Sequence, residues 1–563
     1  MKIRNDMIKK IQAYFNKNKF QKTEIIILCI TLLIFIINSQ YVTYPDEFVN
    51  LLGGQAILQG KIPYSDFFDN HMPFAWYLSA LVIKLSTSSY VFFRFLWSML
   101  QLLSLTILGF WIKTKNQRLY KYYLGFLTIY PLTTIYFWLH LYLADSLAAL
   151  LFSLIFWILL TLTFNHKADK KILYVCSFLT FCLVFSSLTY LYLSATFYLW
   201  QFYLMLKSNH NKKTVLYFIM FAITPYTLYL IYLLLTRSLN NFIFANFTYN
   251  INQYIGIPNY TRGHFFNPLK FALALIFNFW HEYIPLLARI KDLSLNLPIL
   301  TLSALSGLIM LVLMTFTSVI PGIIFFLLMS FTAPRSGMQS ANETDYQMGV
   351  FLMFGLISTF AAIYWLRENK YRDELLNDLK RICLLLLTFF LLFTYLFLAK
   401  NTYEKWYLRY SQAMPSIYNL APSASFIDEI LDVKDHYWIG PFDPQEIFFV
   451  KKAQLAGKYP ALLPQYKEND ALRQDFMSQI KRYSPTVIIF KTDMGIFMNP
   501  AEKFADFLIN WMSDKYTLLE KVPKTRILKS PSSFTLGHHL YIRNDKLQFI
   551  LQKMQHYGYI ERL

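Results

Sequence analysis

The chain has 563 residues, of which 56% are hydrophobic and 15% charged, with a net charge of +20. This is too apolar for a soluble globular protein of this size and makes a bilayer the natural solvent. The excess of Lys and Arg sits mainly in short loops at alternate ends of apolar runs, a pattern of membrane orientation that argues against nucleic acid as a partner. Apolar runs of about 17 to 25 residues, the length that crosses a hydrocarbon core of roughly 30 Å, recur between Glu24 and Lys400. They predict an all-α polytopic membrane bundle of about eleven transmembrane helices over residues 24–400.

Residues 1–23 carry Lys2, Arg4, Lys9, Lys10, Lys17, Lys19 and Lys22 against Asp6, which places the N-terminus in the cytoplasm. No small-residue cleavage site follows the first apolar run, so a retained first span is expected, from about Ile25 to Tyr41. It delivers a first outer loop, residues 41–89. The second span, Tyr90 to Ile112, returns the chain to a basic inner loop with Lys113, Lys115, Arg118 and Lys121. The third and fourth, 122–139 and 143–164, meet in a short outer turn around His140 and Asp145.

Lys167, Lys170 and Lys171 mark the next inner loop; spans five and six form a hairpin near Ser187, and Lys207, Lys212 and Lys213 lie inside again. Span seven, 214–235, leads to a long outer loop holding Arg237, Arg262 and His264. Between Asn267 and Phe331 two readings stand. Either 268–290 spans and 298–331 is one helix broken near Pro321, or the former lies at the surface and the latter is a hairpin. The pair His281 and Glu282 falls in or beside this apolar run; polar groups at membrane depth are usually functional, yet no second His follows at metalloprotease spacing. Spans 346–366 and 382–399 flank the basic cluster Arg367, Lys370, Arg372, Lys380 and Arg381, which belongs inside.

From residue 401 to 563 the composition becomes ordinary. Helix-like Glu468 to Arg482 and the apolar run Thr486 to Phe490 predict a soluble, extracytoplasmic C-terminal α/β domain. It lacks a glycine-rich phosphate loop, a nucleophile elbow and metal-ligand spacing, so it is expected to support or recognise. Cys29, Cys176, Cys182 and Cys383 all lie in apolar runs and read as packing residues.

The chemistry concentrates in the first outer loop. Tyr44-Pro45-Asp46-Glu47-Phe48 follows the first span directly, Gly60-Lys61-Ile62-Pro63-Tyr64 makes a turn, and His71-Met72-Pro73 opens the stretch Phe74 to Leu85. That stretch is apolar but short and carries Lys84, so an interfacial helix fits it better than a span. The arrangement resembles the first outer loop of GT-C superfamily membrane glycosyltransferases, closest to the bacterial relatives of protein mannosyltransferases and aminoarabinose transferases. In layout the likeness extends to about residue 400, in motif detail only over 44–98 and 136–150. Met72 stands where many relatives carry a first proline, and His71 where some carry a lysine near the donor phosphate.

The resemblance implies an inverting glycosyltransferase of the GT-C fold, moving a sugar from a polyprenyl-phosphate-linked donor to a glycan, lipid or protein acceptor at the outer face of a bacterial plasma membrane. Such a transfer needs a base for the acceptor proton and cations for the departing phosphate. By the resemblance Asp46 is that base, and Glu47 orients the acceptor or joins a metal shell; the plain alternative is a pair of solvated charges ending a helix. Arg94, one turn into the second span, binds the lipid phosphate or merely snorkels to the interface. His71 contacts the same phosphate or caps a helix. Asp145 resembles the second acidic position of the family, holding a metal or the acceptor, with an N-cap as the alternative. Arg262 and His264 bind phosphate or belong to a solvated loop. A divalent cation, Mg or Mn, at Asp46 and Asp145 is implied only by some relatives. The competing functions are a lipid or polysaccharide transporter or flippase and a non-catalytic cell-envelope scaffold.

Overall fold

The computed structural model describes residues 21–87, 89–165, 169–208, 211–250, 267–288, 298–335, 337–338, 345–369, 374–411, 421–529 and 538–562. The chain forms two compact units: Met1–Tyr41 with Phe92–Leu228 and Pro258–Gln412, and Val42–Val91 with Tyr229–Ile257 and Ala413–Leu563.

Among the described residues, seven helices are long and apolar enough to cross a membrane: Tyr90–Lys115, Ala144–Phe164, Lys212–Leu235, Pro268–Ala288, Pro298–Thr317, Tyr346–Glu368 and Leu375–Tyr407. They fit a membrane-embedded helical protein. Three further expected spans fall on 17-residue helices, Lys22–Asn38, Lys170–Ser186 and Leu191–Lys207. At about 1.5 Å per residue these reach only the lower limit of a bilayer core. The expected third span is the helix Gln117–Tyr136, diluted by tyrosine and threonine.

The first unit is a bundle whose centre is legible from its chemistry. Ala144–Phe164 and Gly349–Glu368 are apolar on all sides and almost wholly buried, as befits helices surrounded by other helices. Both pack together, and Gly349–Glu368 packs most extensively on Pro298–Thr317. At the periphery Leu385, Phe389, Leu392 and Leu396 recur at helical spacing, and all are exposed, a stripe suited to lipid. Cys176 and Cys182 are buried in the bundle, whereas Cys29 is exposed; all four cysteines are free.

The stretch 298–331 is two helices, Pro298–Thr317 and Val319–Ser330. The chain breaks at Ser318, which is fully extended, and not at Pro321. Pro321 lies in the first turn of the second helix, where backbone N–H groups have no intrahelical partner and proline costs no hydrogen bond. The arms fold back on each other, so that a Cβ on Gly307 would stand 3.3 Å from Met329 Cε. This matches the hairpin reading, although Pro268–Ala288 is itself long and apolar enough to span. The last bundle helix, Glu374–Ser411, overruns the expected boundary at residue 400, since no Gly or Pro between Asn401 and Ser411 stops it.

The second unit joins the first outer loop to the C-terminal sequence. Its five-stranded mixed sheet runs in the order Gln454–Leu455, His436–Gly440, Val487–Lys491, His538–Arg543, Tyr516–Leu518. The first three strands are parallel, and the helix Asp470–Tyr483 lies on the connection from Gln454–Leu455 to Val487–Lys491. Alternate residues of the central strands enter two separate cores. Trp438, Ile488 and Phe490 pack with Phe476, Ile480 and Leu508. Ile439, Val487 and Ile489 pack with Ile427, Ile550 and Leu551. The first of these cores also takes in Tyr64, Phe68 and Trp76 of the first outer loop, and Phe68 N donates to Lys458 O at 2.8 Å.

Glu446 is buried beneath this sheet and accepts a hydrogen bond from Ala424 N, in the first turn of the helix Pro422–Ile430, at 3.2 Å. Burial, with Asp443 nearby, pushes its carboxyl up from 4.5 to about 8 against the pull of the backbone donors. Below 4.5 the group is neutral in folded and unfolded chains alike. Between there and about 8 only the unfolded chain ionises, so this contribution to stability falls as pH rises through that window and stays lost above it. Glu446→Gln keeps the acceptor and removes the ionisation. In thermal melts the variant is expected to match the parent at pH 4 and exceed it at pH 9 by on the order of 3 kcal/mol. Equal pH profiles would contradict this origin.

Candidate functional site

Asp46 and Glu47 open a helix, Pro45–Leu58, instead of ending one. Pro45 supplies the preset φ of a first helical residue, and two carboxylates in the first turn complement the helix dipole. The two differ sharply in setting. Asp46 is half-buried, whereas Glu47 is 0% exposed, its Oε2 accepting from Tyr90 Oη at 2.7 Å. A pair of merely solvated charges is therefore not what this turn holds.

The helix is held from two sides. Phe48 lies against Tyr90, with ring centroids 4.8 Å apart, and against Phe448 and Phe449, each at 5.8 Å. On the other side Gly53 and Gly54 let the helix Phe74–Leu85 approach until a Cβ on Gly54 would meet Ser79 Oγ at 2.2 Å and Ala80 N at 2.7 Å. Ser79 Oγ then donates to Asn50 O at 2.9 Å. Gly53 and Gly54 are thus a packing device that fixes the helix carrying Asp46.

His71 sits half-buried in the same unit, with Nδ1 2.7 Å from Asp69 Oδ1, an arrangement that orients the ring. Tyr64 Oη donates to His71 O at 2.9 Å, and Asn70 and Asn250 exchange amide hydrogen bonds at 2.8 and 3.2 Å. His71 precedes the N-cap of the next helix, which is Pro73, so it is not that helix's capping residue.

Arg94 and Asp145 belong to the first unit. Arg94 is 0% exposed and donates from Nη1 to Tyr41 O at 3.1 Å, so it does not snorkel to water. Tyr41 also faces His140, whose ring lies 5.7 Å away and is itself buried. Asp145 is in the first turn of Ala144–Phe164, but the N-cap is Leu143. Its carboxylate is buried, accepts from Tyr190 Oη at 2.9 Å and stands 3.7 Å from Arg335 Nη2. Arg335 further donates to Ser187 Oγ at 3.0 Å.

Arg262 and His264 lie outside the described residues. His281 is on an exposed face of Pro268–Ala288, with Glu282 beside it partly buried. The sequence reading gave no functional role to Arg335, Tyr190, Tyr90 or His140. A lone Arg just past an apolar run was the available signal for Arg335; the tyrosines are hidden among 41 of their kind. Among the described residues no three His, Cys, Asp or Glu side chains are grouped as a metal set.

The Asp145–Arg335 contact has a measurable consequence. Asp145→Asn removes the negative charge that stands 3.7 Å from the Arg335 guanidinium, at a cost of about 1–3 kcal/mol. Adding Arg335→Gln is expected to recover part of the loss, a coupling that a double-mutant cycle of thermal stability reads directly. Additive losses would mean that the two charges do not interact.

Comparison with protein-family profiles finds none that matches the chain, and comparison with curated proteins finds no match.

Proposed function

We propose that the protein is an inverting membrane glycosyltransferase of the GT-C type, with about eleven spans, that uses a polyprenyl-phosphate sugar at the outer face of a bacterial plasma membrane. The observation that carries the reading is the pair of adjacent carboxylates in unlike settings, Asp46 half-buried and Glu47 wholly buried on Tyr90. Neighbouring carboxylates divided in this way can take different tasks. Asp46 takes the proton from the acceptor hydroxyl, while Glu47 holds the turn and orients it.

The acceptor oxygen then bonds to the anomeric carbon, the carbon–oxygen bond to phosphate breaks, and polyprenyl phosphate departs with the electron pair. Arg94 and His71 are assigned to its charge. A buried guanidinium suits a phosphate well, because its forked donors bind two oxygens and gain strength away from water. Asp145 and Arg335 support the reading as a largely buried pair of opposite charges beside the ends of apolar helices.

The test is to incubate the purified protein with a panel of polyprenyl-phosphate sugars and follow which is consumed. Turnover of one donor with release of polyprenyl phosphate is expected. A transporter or scaffold would leave every donor intact.

A further inference from the structure

The second unit contains a chamber of about 920 Å³, at the upper end of the volumes usual for small-molecule sites. One wall comes from the first outer loop, including Gln55, Gln59 and Lys61; the other comes from the C-terminal sequence, including Lys451, Lys452 and Arg482. Lys458 completes a set of five cations, against two lining carboxylates, Asp66 and Asp69. Both acids are already engaged. Asp66 Oδ2 accepts from Ile62 N at 2.7 Å, and Asp69 Oδ1 holds His71.

The cations divide into two groups. Lys458 is paired with Asp475 at 2.8 Å, and Lys452 Nζ donates to Asp428 O at 2.7 Å, while the Asp428 carboxylate takes the backbone N–H groups of Lys451 and Lys452. No ion pair among the described residues engages the side chains of Lys61, Lys451 or Arg482, and all three are exposed. Arg482 lies over the Tyr483 ring, 5.7 Å from its centroid. The remaining lining combines amides, Gln454 and Gln479 among them, with aromatic side chains that are only partly buried, such as Phe67 and Tyr483. Amides and ring faces match the hydroxyls and apolar faces of sugars; the cations held in no ion pair, Lys61 with Asp66 near it among them, match an anion.

We infer that this chamber binds an oligosaccharide bearing phosphate, with Lys61, Lys451 and Arg482 holding the phosphate and the glutamines and aromatic rings holding the sugar. Under the function proposed above, on which this last identification rests, the ligand is the acceptor; binding itself does not require the transfer reaction.

The experiment uses the full chain in nanodiscs of neutral phosphatidylcholine. Phosphorylated maltotetraose, unmodified maltotetraose and inorganic phosphate are titrated by calorimetry, and a parallel preparation contains phosphatidylglycerol. The phosphorylated sugar should bind at least about tenfold more tightly than either partial probe, and more weakly as salt rises. Lys61→Gln with Arg482→Gln should weaken it about tenfold or more, whereas Lys515→Gln, outside the chamber, should not. Equal binding of inorganic phosphate, indifference to the double substitution, or basic residues satisfied only by phosphatidylglycerol would each overturn the inference. Binding kept intact in Asp46→Asn, together with no transfer by the unmodified chain, would remove the catalytic reading and leave this one standing.

Discussion

Asp46→Asn is expected to lower sugar transfer by roughly 10²–10⁴-fold, the range of a lost general base, while the protein inserts and melts as the parent does. The substitution keeps shape and removes only the proton acceptor. The first-turn charge it gives up beside the helix dipole accounts for about 0.3–1 kcal/mol of stability. Glu47 is badly placed to take over, being wholly buried and committed to Tyr90. Single-turnover assays with the donor identified from the panel check the result, with thermal melts as the fold control. Transfer at the parent rate by the Asn variant, or labelling that places residue 46 on the cytosolic side, would end the proposal.

The elements most legible in the sequence are those that lipid or a local rule dictates. Ala144–Phe164 and Gly349–Glu368 announce themselves as unbroken apolar runs. The short helix Phe74–Leu85 was readable from its length and Lys84, and Asp470–Tyr483 followed by Val487–Lys491 from a change of period. What failed to show was long-range. Nothing local to Asp145 announces Arg335, and nothing in Tyr64, Phe68 or Trp76 announces a shared core with Trp438 and Phe476. The break at Ser318 was similarly obscure, since Pro321 drew attention to itself while fitting comfortably into a first helical turn. Asp46 and Glu47 were visible as a pair, but their division into a half-buried and a wholly buried acid depends on Tyr90, which the sequence distinguishes from no other tyrosine.

Gly355→Val is expected to destabilise the bundle by more than about 3 kcal/mol, the upper end of the cost of overpacking a core. Helices in lipid gain little from apolar burial and associate through close van der Waals fit, which small residues permit. At Gly355 that fit is extreme. A Cβ there would meet Ser303 Oγ at 2.0 Å, its Cβ at 2.2 Å and its Cα at 2.4 Å, so rotating the serine side chain cannot relieve the clash. Separating the helices would also strain the hydrogen bond from Ser306 Oγ to Gly355 O, now 2.8 Å. Both residues of the contact lie between Pro298–Thr317 and Gly349–Glu368, the most extensively packed helix pair of the bundle. A companion substitution, Ser303→Gly, removes the Oγ and Cβ overlaps but not the approach to the Cα, and should restore only part of the lost thermal stability. Full stability of Gly355→Val alone would mean that these two helices do not meet at this pair of residues.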